Sequence, residues 1–457
     1  MIKTLYYYAI TKFSLIFFSL YTISILTNNL SLVEYGELDL LIVTITLLGV
    51  ILNLGISSAI NRELNLFNRK IGDVFTNSLL FFFKSLLISI FIYTLNTMFN
   101  ILNQNYLFLI LMITNINILN GYLIGIVRAT NKSKLFFIVN LIQQVLYLSY
   151  LLYYQNNLTV EKVLYIIFFY SFISLSIYLY YFKNSLGGKY DKSIYLSLSK
   201  YGLPLVLGGV AEFIFNSSDK YMINYFLGKE SVALYSVNYK IAAMLLIVAG
   251  VFQMLWPRYM YRIYNKYKDY SNLYRAVLNF YSFVIINIAL CIITWREKLI
   301  LLITNENYLI ADGIVVIVIS GIILYSLHYI LNAGIHISGK SYIMTNITII
   351  AGVLNILLNY FFIPLYGYTA AAFTTVIAMI LILFATYYFS NKLIVINYDL
   401  MKIFYIYTLF VFFAFILYFF HFSFFESILL NIGFLFISAF LLLSFKDFKA
   451  LKVLVDE

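Results

Sequence analysis

The stretch LPLVLGGVAEFIFNSSDKYMINYFLGKESVALYSVNYKI, residues 203–241, sets charged side chains inside two long apolar runs. A charge at mid-bilayer costs roughly 3 kcal/mol or more, so each one there needs a reason. In the first run, 203–227, Asn216, Asp219 and Lys220 follow Glu212 by four, seven and eight residues. That spacing puts all four on one helical stripe, which can be turned away from lipid. The second run begins after the turn Gly228, Lys229, Glu230 and Ser231 and carries Lys240. Asp219 and Lys240 stand equally far from the centre of that turn, so an antiparallel hairpin brings them to the same depth as a structural ion pair. Such a pair leaves Lys220 as positive charge facing inward. Glu212, about two turns away, is then the coupling candidate, since a carboxyl inside the membrane can carry a proton.

Composition widens this reading to the whole chain. With 457 residues, 63% hydrophobic and only 11% charged, and a mean hydropathy of +0.92, the sequence excludes a soluble fold and describes an all-α polytopic membrane protein. The apolar run 5–27 is too long for a signal-peptide core and lacks a small-residue cleavage site, so it stays as the first span. The single cysteine, Cys291, rules out an intramolecular disulfide. His328, His336 and His421 are scattered, which argues against a metal cluster, and no cofactor is implied.

Apolar runs of membrane-spanning length number fourteen: 5–27, 38–60, 76–99, 107–129, 135–154, 160–181, 203–227, 232–256, 274–295, 310–331, 343–364, 369–389, 403–420 and 427–445. Cations collect at the N-terminus and at every even-numbered span end, as in Arg62, Arg69 and Lys70, then Arg128, Lys132 and Lys134, then Arg258, Arg262 and Lys266. This is the pattern of cytoplasmic loops, so both termini are expected in the cytoplasm. The net charge of +11 is thereby an orientation signal, and no nucleic acid is implied. A mixed-charge connector, 184–202, divides the chain into an N-terminal lobe, 1–183, and a C-terminal lobe, 203–390, each of six spans. Two further spans and a tail occupy 391–457. A shift of 196 residues lays Glu34 on Glu230, Leu38 on Leu234 and Arg62 on Arg258, which supports a parallel duplication. Pro204, Pro257 and Pro364 all stand at span ends, where they are expected to cap or stop helices without kinking them.

Polar residues recur within the spans. Asn117, Gly121 and Arg128 share a narrow arc of span four, and Asn53, Ser57 and Asn61 follow at four-residue intervals in span two, ending beside Arg62. Lys12 and Lys84 each lie about two turns in from an expected cytoplasmic end, within reach of the headgroups by snorkelling. No glycine-rich phosphate loop, H-E-x-x-H or G-x-S-x-G is present, and no aspartate cluster suited to a sugar nucleotide, so an enzyme is not indicated.

Three passages carry a resemblance. LSLVEYGELDLL at 30–41, SSDKYMINYFLGKESVALYSVNYK at 217–240 and NILLNYFFIPLYGYTAAAFTT at 355–375 resemble the marks of bacterial O-antigen and polysaccharide flippases, the polysaccharide transporter group of the MATE-like exporter superfamily. Thr369, Ala370 and Ala371 depart from the Gly-Ala-Ala common in relatives. The resemblance implies two six-helix lobes around a central cavity, plus the two extra C-terminal helices. It also implies a cargo: an oligosaccharide repeat unit on undecaprenyl diphosphate, carried to the periplasmic leaflet by alternating access. Partners implied are this lipid-linked oligosaccharide, membrane lipids and other polysaccharide-assembly proteins.

A diphosphate calls for cations, and arginine can bind it bidentately. The candidates are Lys220, Arg128, Arg62, Arg258, Lys84 and Lys12, with Asn117 and Asn216 adding hydrogen bonds. A cation-coupled drug exporter of the same fold needs cavity acids, and only Glu212 and Asp219 lie well inside spans, away from their ends. A peptidoglycan-precursor flippase also fits the scaffold, and only the three motifs separate it. A membrane polymerase or glycosyltransferase lacks an outward loop large enough for a catalytic site.

Overall fold

The computed structural model describes residues 2–99, 104–420, 422–444 and Asp447, apart from some side chains in the first half of the first helix and those of Phe99, Gln104 and Asn105. Among these residues there are eighteen α-helices, two short 3-10 turns and no strand. Among the described residues twelve helices are long and apolar enough to cross a membrane, thirteen when one bent pair is taken as a single span. The first apolar run lies in α1 (Ile2–Asn29), and each of the other thirteen runs likewise has a helical counterpart. The protein is a multi-pass membrane protein.

The chain divides into two compact units, Met1–Phe213 and Ile214–Glu457. The first holds α1, α2 (Leu32–Leu52), α3 (Ile56–Leu66), α4 (Ile71–Phe99), α5 (Gln104–Ala129), α6 (Ser133–Tyr153), α7 (Val160–Phe182) and the start of α8 (Lys192–Leu227). Its hub is α5, which packs against α2, α3, α4, α6 and α7. The most apolar window of α5 is 56% buried, whereas that of α6 is only 11% buried, as expected of a helix facing lipid. Tyr122, Ile126, Ile60 and Leu198 form the centre of this unit's core.

Helix starts follow from local chemistry. Ser31 caps α2 and closes a capping box with Glu34, so Glu34, Tyr35 and Gly36 lie in the helix, ahead of the apolar run that begins at residue 38. Ser423 and Glu426 repeat the device at the start of the last helix. The connector is only partly extended, since α8 already begins at Lys192. Its earlier part is fastened to α4: Asp73 Oδ1 accepts the Lys189 amide at 2.8 Å, and Asn77 Nδ2 donates to the Lys189 carbonyl at 3.1 Å.

The second unit comprises the rest of α8 with α9 (Lys229–Ala242), α10 (Leu245–Lys266), α11 (Tyr270–Thr294), α12 (Arg296–Ile303), α13 (Gly313–Leu331), α14 (Ala333–Ile337), α15 (Tyr342–Tyr366), α16 (Tyr368–Leu393), α17 (Leu400–Phe419) and α18 (Phe424–Leu442). Here α13 is the hub, packing on α9, α11 and α16, while the added helices α17 and α18 both dock on α11. The segment between the apolar runs 274–295 and 310–331 is itself ordered as α12 and a 3-10 turn, Glu306–Ala311.

One expectation fails. All three prolines lie inside helices: Pro204 in α8, Pro257 in α10 and Pro364 in α15. Membrane helices tolerate proline because neighbouring groups re-satisfy the carbonyl it leaves unbonded. The breaks occur elsewhere. Helices α9 and α10 bend by 49° across Ala243 and Met244. The second span is interrupted between α2 and α3, where Leu54 and Gly55 take φ of 54° and 68°. A side chain at Gly55 would bring Cβ to 2.2 Å from the Gly202 carbonyl oxygen, so glycine is required for the break to lie against α8.

Candidate functional site

The restart of the helix after Gly55 gives α3 two chemically distinct faces. Ile56, Ala59 and Ile60 are buried, while Ser57, Ser58, Asn61, Arg62 and Asn65 line a cleft of about 540 Å³. The opposite wall is α5, whose Gly121, Gly125 and Arg128 recur at four and three residues and so share one face. A Cβ at Gly121 would lie 2.8 Å from Ser57 Oγ, and one at Gly125 2.7 Å from the Ser57 carbonyl. The two glycines therefore let α3 sit close on α5, which brings Arg62 and Arg128 to the same cleft. Tyr201 of α8 completes it.

Arg62 is held on several sides. Its guanidinium carbon lies 4.9 Å from the Phe67 ring centroid and 4.8 Å from that of Tyr201. One of its nitrogens is 3.4 Å from the carboxylate of Glu63. Glu63 is 1% exposed and also accepts a 2.6 Å hydrogen bond from Ser197 Oγ on α8. Arg128, by contrast, is exposed. Two guanidiniums against one buried carboxylate leave the cleft a net cationic place, furnished with hydroxyls and carboxamides. Its chemistry suits an anion carrying polar groups.

The other predicted residues are distributed more widely. Lys84 on α4 is exposed and donates a 2.5 Å hydrogen bond to Tyr195 Oη, over the rings of Phe81 and Tyr195, and does not line the cleft. Nor does Asn117, which is exposed further along α5. The side chain of Lys12 lies outside the described residues, as does His421. Lys220, Asn216, Arg258, Asp219 and Lys240 belong to the second unit, whereas Glu212 lies at the end of the first. Glu212 and Asn216 are exposed on α8, Lys220 is half-buried, and Arg258 is exposed on α10. Asp219 is buried and accepts hydrogen bonds from the Tyr235 hydroxyl and, at 2.9 Å, from the Lys220 amide, while Lys240 is half-buried on α9.

Sequence reasoning did not single out Glu63, Tyr201, Asn65 or Tyr235. Glu63 had a visible signal, an acid directly after Arg62. Tyr201 had none, because only the fold places it beside α3.

Residues 3–261, more than half of the chain and including every cleft residue, match the family described as polysaccharide biosynthesis protein. None of the curated proteins matches the chain in sequence. Among solved structures, the lipid II flippase MurJ in an inward closed conformation is similar at 19% identity, covering 94% of this chain and 97% of its own, with a TM-score of 0.72. A multidrug resistance MATE family transporter of the MOP superfamily, inward-facing, is 14% identical over 82% of this chain and 94% of its own, with a TM-score of 0.61. A mutant of the Vibrio cholerae MATE transporter VcmN is also 14% identical, over 86% and 95%, with a TM-score of 0.60. At such identities the likeness is one of fold.

Proposed function

We propose, from the premise that this chain belongs to the polysaccharide biosynthesis protein family, that it is a flippase for a diphosphate-linked oligosaccharide lipid. The observation that carries the reading is the convergence of Arg62 and Arg128 on one polar cleft between α3 and α5. A diphosphate bearing a sugar and a polyprenyl chain offers charged oxygens for the guanidiniums and hydroxyls for Ser57, Ser58 and Asn61. The fold it shares with a lipid II flippase supports the same reading.

Both arginines close even-numbered spans, so the expected orientation puts the cleft near the cytoplasmic leaflet, where such a lipid would be made. Transport then runs towards the periplasmic leaflet by alternating access of the two lobes, 1–183 and 203–390, with Lys220, Arg258, Lys84 and Lys12 as further contacts along the way. Glu212 remains the coupling candidate and Asp219 with Lys240 the proposed structural pair. The surface glycan would be an O-antigen or a similar polysaccharide of a bacterial inner-membrane pathway, and no reaction is assigned to the protein itself.

A deletion strain tests this. Surface polysaccharide should fall while lipid-linked repeat units accumulate in the cytoplasmic leaflet. An intact surface glycan with no such build-up, in a strain without a second flippase, would favour the exporter reading instead.

A further inference from the structure

Between α6 and α7 lies a second cavity, of about 580 Å³, whose walls are almost wholly apolar. Leu146, Tyr150 and Tyr153 of α6 line it at spacings of four and three, and Ile166 and Phe169 of α7 face them. In the expected orientation this end of both helices points outward. Ile166 and Phe169 stand roughly 9–14 Å along α7 from its start at Val160, which is hydrocarbon depth in the outward leaflet. Lys162 precedes them by four and seven residues, so it occupies the same face of α7 one turn nearer the surface. Its ammonium donates to the Asn157 carbonyl at 2.7 Å and lies 5.0 Å from the centroid of the Tyr154 ring. That ring stands 4.5 Å from Tyr150 and 4.8 Å from Tyr153, centroid to centroid, so the cation sits at the mouth of the groove. Two of its three N–H groups remain for another acceptor. The neighbouring acid, Glu161, is engaged by the Tyr165 hydroxyl.

We propose that this groove binds a glycerophospholipid of the outward leaflet, an acyl chain lying along the groove and the phosphodiester resting on Lys162. The inference does not depend on the diphosphate-glycan reading above. The most apolar window of α6 is only 11% buried, so lipid chains surround it, and an apolar concavity beside them takes up a chain. The order from depth to surface, apolar wall, tyrosine rim and then ammonium, repeats the order of chain, ester and phosphate in the lipid. Charge complementarity favours this occupant over an apolar helix of a partner or of a second copy, which offers Lys162 no anion. A polyprenyl diphosphate is disfavoured as well, since the arginine cleft between α3 and α5 lies towards the opposite leaflet.

Native mass spectrometry of the full chain, purified in mild detergent and stripped of lipid, tests this. The probes are dioleoylphosphatidylglycerol and dioleoylglycerol, which has the same chains and no phosphate. The wild type should take up one phospholipid at least about tenfold more tightly than the neutral lipid. Lys162→Gln should cut that preference to about twofold or less. Ser149→Trp, which fills the groove and leaves the cation, should weaken both lipids about tenfold, and each variant is checked for an unchanged thermal midpoint. Lys298 is an outward cation set over the rings of Trp295 and Phe424, at 4.6 and 5.2 Å, and controls for charge at the interface alone. Lys298→Gln should leave the preference as it is. Equal uptake of the two lipids by the wild type overturns the inference, as does the same loss in Lys298→Gln as in Lys162→Gln. Dimers that exclude the phospholipid and that Ser149→Trp dissociates would overturn it in favour of a second copy. Displacement of the phospholipid by an equal concentration of polyprenyl diphosphate would overturn it in favour of the cargo.

Discussion

Glu63 shapes the cleft from behind, and two substitutions separate what its charge and its hydrogen bond contribute. Its carboxylate accepts Ser197 Oγ at 2.6 Å and lies 3.4 Å from an Arg62 nitrogen. Glu63→Gln keeps an oxygen for Ser197 and removes the charge, whereas Glu63→Ala removes both. A hydrogen bond to a charged acceptor is worth about 1.5–3 kcal/mol. Arg62 retains 31% side-chain exposure and can rehydrate, so its lost pairing adds at most about 1 kcal/mol. Glu63→Ala should therefore lower stability by about 2–4 kcal/mol and Glu63→Gln by about 1 kcal/mol. The effect on the anion has the opposite sign. Removing a negative charge several ångströms from a bound diphosphate relieves repulsion on the order of 1 kcal/mol in a water-like dielectric, about fivefold in affinity. Pyrophosphate binding by calorimetry, with thermal unfolding on the same sample, reads both quantities. A folded Glu63→Gln protein that binds pyrophosphate no more tightly than the wild type would refute the electrostatic argument.

Three further outcomes follow from the packing. Gly55→Ala forces a side chain onto a φ of +68° and a Cβ to 2.2 Å from a main-chain oxygen, so it should cost about 2–4 kcal/mol in thermal or denaturant unfolding, and an unchanged midpoint would contradict the close approach. Arg296 is 4% exposed and donates to Asp312 at 2.7 Å and to the Leu417 carbonyl at 3.1 Å. Arg296→Met should cost about 3 kcal/mol by stranding Asp312, and adding Asp312→Leu should recover part of that, whereas strictly additive losses would deny the pair. Asp191 accepts the Ser193 amide at 2.7 Å at the start of α8, and its bonds to Ser193 hold the carboxyl below its ordinary range. A depressed folded value means the contribution is present above about pH 4 and is lost as pH falls through the folded value. Amide exchange at the first turn of α8 should then quicken in acid beyond the intrinsic rate, and Asp191→Asn should abolish that acid dependence.

Hydropathy read the spans well because burial in hydrocarbon constrains every residue of a crossing. It read helix ends poorly: α3 continues to Leu66, α8 begins at Lys192 and α10 reaches Lys266, each past its apolar run. Outside the hydrocarbon a helix needs no apolar residues, only its own hydrogen bonds. That shortfall hid Glu63 and Asn65, which looked like loop residues beyond the end of the second span. Arg62 and Arg128 were legible singly, as the cations closing spans two and four. Their convergence was not, because it depends on Gly121 and Gly125 meeting Ser57, a contact between distant segments. Proline does not mark the breaks: the chain turns at Leu54 and Gly55 and at Ala243 and Met244.

The central claim is that Arg62 and Arg128 form the head-group site of a diphosphate-glycan flippase. Its most direct test is reconstitution of the purified full chain in liposomes holding a fluorescent polyprenyl-diphosphate glycan, with leaflet exchange followed by quenching from outside. The wild type should move the lipid, and Arg62→Ala combined with Arg128→Ala should slow it at least about tenfold at equal protein incorporation, as expected when both charge-assisted contacts are lost. Movement by the double variant at the wild-type rate, or none by the wild type, would contradict the account.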